Sequence, residues 1–535
     1  MYPHCFLKNA LAISFFLFAL TEMAFTQKNP AIKFGTVLPS DFDLSANKII
    51  DSNTNAVIIA NVGSLEFVGN KHDWISYIYK RSTRIKILNN KAYDAATIKI
   101  HLYGNDDKVD QINNFHASTY NISNGKVVET KLLNNDIFTE KLRKGIIEKK
   151  FTMPDIKEGS IIEYTYIITS YHYYSLPEWD FQNLNYPCLY SEYKIGIPDL
   201  VRYSIMHYGI DSFFSNKAEQ GFKNLSVTSK NSDIIVSAAV YNNTWVMKNI
   251  PAFKNEEYIN HPKDYLDRLE FTLTQTSDGE KIHELRTSWK VAEDRLLASD
   301  YFGMRIDPVG AENLTNTLNK LCPSRGDALS NAKSIYSYVR DNFTCLPDDE
   351  IYINSLYDIN KSHKGSVAEL NMLVIAMLRL RNLHADPVIL STKDYGMHPA
   401  EYPVLEKMNY LICMLRVGND TIYLDASDPL LGFGKLPLRC YNGHAQIINA
   451  NHSGSLFFYP GDIKERSATF VNIVNDENGN GKSASFESTL GYFQSYDLRD
   501  KIKEEGMEKY ISNLKAEYGS DFEISNFTID SFTVL

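Results

Sequence analysis

At 535 residues the chain exceeds the roughly 250–300 over which one hydrophobic core keeps growing, so more than one domain is expected. Hydrophobic residues at 44% and charged residues at 22% exclude general disorder. The balance of 55 Lys+Arg against 65 Asp+Glu gives a formal charge of -10, and no basic stretch is dense enough to track a phosphate backbone, which argues against nucleic acid as a partner.

The first segment joins a positive flank at Lys8 to an apolar run from Leu11 to Leu20, the pattern of a secretory signal over residues 1–26. It predicts a mature chain starting near Gln27, exported to the periplasm or cell envelope, or secreted. No second apolar stretch approaches the roughly 18 residues of a membrane span, so none is expected after signal removal. Cys5 precedes the apolar run and does not fit a lipidated cysteine. Cys188, Cys322, Cys345, Cys413 and Cys440 contain no CxxC pair or Cys/His cluster, which argues against a disulfide framework or a zinc site. Neither metal nor cofactor is expected; for Cys322 and Cys345 a disulfide and two buried thiols are both open.

From residue 35 to 280 short runs such as VIIANVGSLEFV, TRIKILN and ATIKIHLY carry β-branched and aromatic residues between Gly, Asn and Asp turns. Asn124-Gly125 reads as a hairpin turn, and Ile161 to about Tyr174 as one long strand. No helical pattern interrupts this stretch, which predicts a mainly antiparallel, sandwich-like β domain.

Over 285–450 the pattern changes to α+β. In DALSNAKSIYSYVRDNF, Ala328, Ala332, Ile335, Tyr336 and Val339 are spaced for one buried helix face. Gly365-Ser366 opens a second helix, with Ser366 as N-cap and Glu369 three residues on. Leu370, Leu373, Val374, Met377 and Leu378 make that helix apolar on most faces, hence central. Strands follow at 386–392, 408–417 and 421–427, the last two joined by Gly418-Asn419-Asp420. The loop from Lys393 to Lys407 is long enough for a lid or groove wall and equally consistent with an irregular surface loop. Residues 455–535 return to β with a helical insertion weakened at Gly506, and Phe527 to Leu535 read as a strand that lies on an edge or seeks a partner. This last region is expected to be a partial β-rich domain.

A Cys–His–Asp enzyme places its thiol at a helix N-terminus, a histidine on a neighbouring strand, and a third residue to orient the ring. The framework is legible here: the helix at Gly365, the strands after it, and Asp425 near the end of the third. The reacting groups are missing, since no cysteine lies at the helix start and the strand 408–417 has no histidine. Cys413, central in that apolar strand, reads as packing.

KGSVAELNMLVIAMLRLRNLHADPVILST and MNYLICMLRVGNDTIYLDASDP resemble the core of bacterial transglutaminase-like proteins, which share the papain-like cysteine-protease fold. KRSTRIKILN, NISNGKVVETKL, FTMPDIKEGSIIEYTYIITS and LPEWDFQNLNYPCLYSEYKIGIPD resemble the β domain of unknown function (the 3857 type) that precedes such cores in Bacteroidota. The resemblance runs colinearly over about residues 50–450 and implies a Gram-negative envelope. Catalytic members open the helix with Gly-x-Cys. The matching residues here are Gly365-Ser366-Val367, so Val367 stands at the nucleophile position and Tyr410 at that of the histidine, while Asp425 remains.

Valine has no nucleophilic atom, and tyrosine, with a reference pKa of about 10, is a poor base at neutral pH. The resemblance therefore implies an inactive relative that binds or scaffolds an unidentified peptide, glycan or envelope protein. Tyr395, Tyr402, Asn409 and Tyr410 are candidates to line its groove. The alternative is a hydrolase or acyltransferase with an unrecognised site, with Ser366 as nucleophile and His363 or His398 as base.

Overall fold

The structure, a computed structural model, describes residues 32–70, 74–104, 109–143, 145–229, 232–254, 256, 259, 261–277, 281–285, 288–303, 312–322, 326–347, 350–475, 482–518 and 524–529. The expected signal segment lies outside these residues, as do the last six of the strand expected at Phe527–Leu535; 524–529 are irregular. A strand-rich N-terminal region, a mixed central region and a short C-terminal hairpin follow one another along the chain.

Among the described residues, the strands of three or more residues before residue 285 are β1 (Ala56–Gly69), β2 (Ile75–Ile87), β3 (Thr97–Tyr103), β4 (Gln111–Ser123), β5 (Lys126–Lys131), β6 (Phe138–Arg143), β7 (Ile146–Thr152), β8 (Ile161–Ser170), β9 (Cys188–Pro198), β10 (Val201–Tyr208), β11 (Ser215–Ser229), β12 (Ser232–Ile250), β13 (Arg268–Ser277) and β14 (Ile282–Glu284). Two compact units emerge, and they interleave in sequence. The first holds the described residues up to Tyr173 with Trp179–Pro198 and Asp211–Phe253; the second holds Tyr174–Glu178, Asp199–Ile210 and the described residues from Lys254 on. No single boundary near residue 285 divides them, because β10 is laddered to β13, with Tyr203 opposite Leu273, and this pairing draws both into the second unit.

In the first unit an eight-stranded sheet runs β11-β12-β9-β1-β2-β8-β4-β5. It is antiparallel except between β1 and β9, a parallel pair that needs the long connection separating them. Alternation drives its burial: Leu65 and Phe67 of β1 are buried while Glu66 between them is exposed. Asn124 and Gly125, both at positive φ (50° and 74°), close the β4–β5 hairpin in the conformation that favours Asn-Gly. A smaller sheet runs β3-β7-β6.

In the second unit the helices are α1 (Trp289–Leu297), α2 (Glu312–Leu321), α3 (Ala328–Asn342), α4 (Leu356–Ser362) and α5 (Val367–Arg379). Strands β15 (His384–Leu390), β16 (Tyr410–Val417), β17 (Asp420–Leu424), β18 (Gly443–Ile447) and β19 (Gly454–Phe458) form an antiparallel sheet in the order β17-β16-β15-β18-β19. Helix α5 packs on β15 and β16, and every residue from Val367 to Leu378 is buried. Its run of Leu, Met, Val, Ile and Ala has no polar stripe, so it is stable only inside a core closed by α3, α4 and the sheet. The chain then forms a hairpin, β20 (Ala468–Asn475) with β21 (Lys482–Thr489), and the helices α6 (Tyr492–Glu505) and α7 (Met507–Tyr518), separated by Gly506 at φ 83°. Among the described residues no helix is long and apolar enough to cross a membrane.

Candidate functional site

The start of α5 is set by its cap. Ser366 Oγ accepts from the Glu369 amide at 3.3 Å, and the Ser366 amide donates to Glu369 Oε2 at 2.9 Å. Glu369 Oε1 also accepts from the Asn354 amide and side chain at 3.1 and 3.0 Å, which ties the helix start to the preceding loop. Val367, the next residue, is 3% exposed and packs with Val388, Leu390, Tyr410 and Ile412.

Tyr410 opens β16 and is fully buried; its hydroxyl donates to Asp425 Oδ2 at 2.7 Å. Burial, with the Asp425 charge adding to it, pushes the Tyr410 phenol well above its usual value, so the group stays protonated and acts as a donor, not a base. The Arg439 guanidinium lies over the Tyr410 ring, 4.6 Å from its centroid. Asp425, also fully buried, follows β17, and its Oδ1 accepts from the Ser427 amide at 3.0 Å and from Asn371 Nδ2 at 2.9 Å. Asn371 in turn donates to the Leu411 carbonyl at 2.9 Å and accepts from the Ala426 amide at 2.8 Å. Tyr336 of α3 adds a further tie, donating its hydroxyl to the Asp425 and Leu431 carbonyls at 3.1 and 3.0 Å.

Val367, Tyr410 and Asp425 are thus brought to one place, and the place is closed. Chemically the cluster fastens a helix to two strands: a neutral phenol, a carboxylate and a carboxamide satisfy one another away from solvent. Asn371 is not among the residues that sequence reasoning singles out. The available signal is one uncharged polar residue within an apolar helix, four positions after Val367 and so on its face.

The serine alternative is not assembled among the described residues. Ser366 is engaged in its cap, whereas His363 is exposed in a left-handed turn, stacks on Phe343 with centroids 4.4 Å apart, and approaches the Asn342 carbonyl at 3.0 Å. His398 is buried elsewhere, in a cage with Trp289 (5.8 Å) and His444 (6.0 Å). Burial, and secondarily His444, push the His398 imidazole down to about 3, so it is neutral at physiological pH.

The four groove candidates do not share one surface. Tyr395 and Tyr402 are 50% and 37% exposed, but Asn409 and Tyr410 are buried, Asn409 being spent on the Thr392 amide and hydroxyl.

Cys345 is the thiol that lies by the helix start. It pairs in register with Gly365, is half-buried, and packs against the cluster of Val367 and Tyr410, a proximity the twenty-residue separation in sequence conceals. No disulfide joins the described cysteines, Cys322 and Cys345 included. Among the described residues no group of three or more His, Cys, Asp or Glu is placed to hold a metal.

Residues 76–235 match the family described as Domain of Unknown Function with solved-structure structure (DUF3857). No curated protein sequence matches the chain. Among solved structures, a protein described as a candidate protease from Parabacteroides distasonis is 15% identical, with 80% of this chain and 78% of that one covered and a TM-score of 0.48. A candidate cysteine protease from Cytophaga hutchinsonii is 10% identical, with 56% and 93% covered and a TM-score of 0.19. Likeness at this level brings no chemistry over to this chain.

Proposed function

We propose that this is a catalytically inactive transglutaminase-like protein, exported to the cell envelope, which acts as a binding or scaffold module for a peptide, glycan or envelope partner. The observation that carries the reading is the Tyr410–Asp425 hydrogen bond of 2.7 Å beside buried Val367. A nucleophile and a base would both have to reach substrate at this point, and the residues present supply an alkyl group and a protonated phenol. Export rests on the apolar segment before Gln27.

The test is the wild-type protein with amide substrates and with amine donors for crosslinking. No turnover above buffer is expected, with or without iodoacetamide. Turnover that disappears in Ser366→Ala or in Cys345→Ala would overturn the reading and name the nucleophile. Export is checked separately by intact mass of protein from the envelope fraction, where retention of residues 1–26 would count against a cleaved signal.

A further inference from the structure

In the first unit, β11 and β1 are separated in the sheet by β12 and β9, yet they meet again. The Thr228 amide donates to the Asn70 carbonyl at 3.2 Å. Gly69 has no room for a Cβ, because the backbone of Ser226 lies against it. Lys223 Nζ reaches across to the Glu66 carboxylate and, at 3.0 Å, to the Phe67 carbonyl. Four strands therefore curl into a trough, as a strongly twisted sheet does on its way to a barrel. The trough holds a cavity of about 520 Å³, within the range of small-ligand sites, about 300–1,000 Å³.

Register sets what lines it. Ser64, Lys194 and Thr244 stand in one row across β1, β9 and β12, and Glu66, Gly196 and Asn242 in a row two residues on. A Cβ at Gly196 would stand 2.9 Å from Asn242 Oδ1, and one at Gly221 3.3 Å from its Nδ2. The two glycines thus leave bare backbone beneath an exposed carboxamide. Pro198 and Val240 make one end apolar.

Both lysines are already paired, Lys223 with Glu66 and Lys194 with Glu192 at 2.6 Å, so the trough favours neither anion nor cation. The groups left to recognise a ligand are the Asn242 amide and the Ser64 and Thr244 hydroxyls, each of which both donates and accepts. Backbone groups along β1, β9 and β12 are taken up in ladders on both sides, and β11, the end strand of the sheet, is laddered to β12 alone, so strand addition by a peptide is confined to that one edge. Sugar hydroxyls have the same dual character, and a pyranose ring adds an apolar face suited to Pro198 and Val240.

We propose that this trough is a binding site for a neutral, hydroxyl-rich ligand, a short oligosaccharide. The proposal does not rest on the inactive-triad reading, since it concerns a different unit and a different measurement. The experiment is isothermal titration calorimetry of the full chain with chitobiose, cellobiose and maltose, and with the neutral peptide Gly-Ser-Ala-Gly as control. One disaccharide or more is expected to bind, with affinity falling about tenfold or further in Asn242→Leu and in Gly221→Val at an unchanged thermal midpoint. Asn242 is exposed, so its variant carries the test if Gly221→Val fails to fold. Absence of binding by all three sugars, binding unchanged in Asn242→Leu, or binding of the peptide alone would overturn the proposal.

Discussion

Around Asp425 the residues act as a unit whose members differ in how many partners each one satisfies. Tyr410 supplies one short hydrogen bond, whereas Asn371 serves Asp425 Oδ1, the Leu411 carbonyl and the Ala426 amide together. Tyr410→Phe should therefore cost about 1–3 kcal/mol, the penalty for leaving one buried acceptor short. Asn371→Leu should cost more, because it strands a backbone donor, a backbone acceptor and part of a buried carboxylate. Urea unfolding of the two variants checks the order, and a Tyr410→Phe protein less stable than Asn371→Leu would contradict it. That Tyr410 meets Asp425 is readable from the resemblance; that Asn371 arbitrates between them is not, because helix α5 and the end of β17 are 54 residues apart in sequence at that contact.

Helix α5 and the hairpin β20–β21 are opposite cases of how an element is held. The helix has a reciprocal cap written in four consecutive residues, Ser366 to Glu369, and a buried body. Ser366→Ala should cost about 1 kcal/mol in a thermal or urea melt while leaving the fold intact. The hairpin has correct alternation and pairing, yet every residue in both strands is exposed, including Phe470 at 78% and Phe486 at 60%. A two-stranded ribbon is marginal by itself, and its apolar residues invite association. The double substitution Phe470→Ser and Phe486→Ser should shift stability by no more than about 0.5 kcal/mol, since neither ring is buried, and should lower self-association measured by light scattering at high concentration.

Over the whole molecule, acid stability has two windows of separate origin. The His398 ring, which ordinarily titrates at 6.5, is held down to about 3 by burial and then by His444, so the folded state favours its neutral form. Its contribution is complete above 6.5 and is lost as pH falls toward 3. His444 is shifted the same way by burial, while Glu293, raised by burial, titrates in the opposite sense. Glu178 is different: burial alone would raise it, but Lys407, Lys263 and Arg268 outweigh that and hold it down to about 2 from 4.5. Its contribution is lost only below 4.5. The difference in unfolding free energy between wild type and His398→Leu should therefore change between pH 6.5 and 4.5, by up to about 1.4 kcal/mol per pH unit, and the Glu178→Gln difference should change only below 4.5. Chemical denaturation at stepped pH reads both; a His398→Leu difference that is flat above pH 4.5 would refute the first assignment.

By itself the sequence determined the local and periodic features of this protein. It dictated the strand-rich opening, the cap and buried body of α5, the β16–β17 turn, the Asn124-Gly125 hairpin and the break at Gly506, because each depends on residues within a few positions of one another. It also determined that Val367 brings no nucleophilic atom to the helix start, since valine has none in any fold. Tertiary structure decided the rest. The parallel pairing of β1 with β9, the grouping of β10 and β13 with the α+β unit, the closing of Asn409 and Tyr410 to solvent, the approach of Cys345 to Gly365 and the curl that brings Lys223 to Glu66 all join residues distant in the chain. Such contacts depend on how far the sheet twists and which faces the core covers, and periodicity encodes which side a residue points to but not what it meets there.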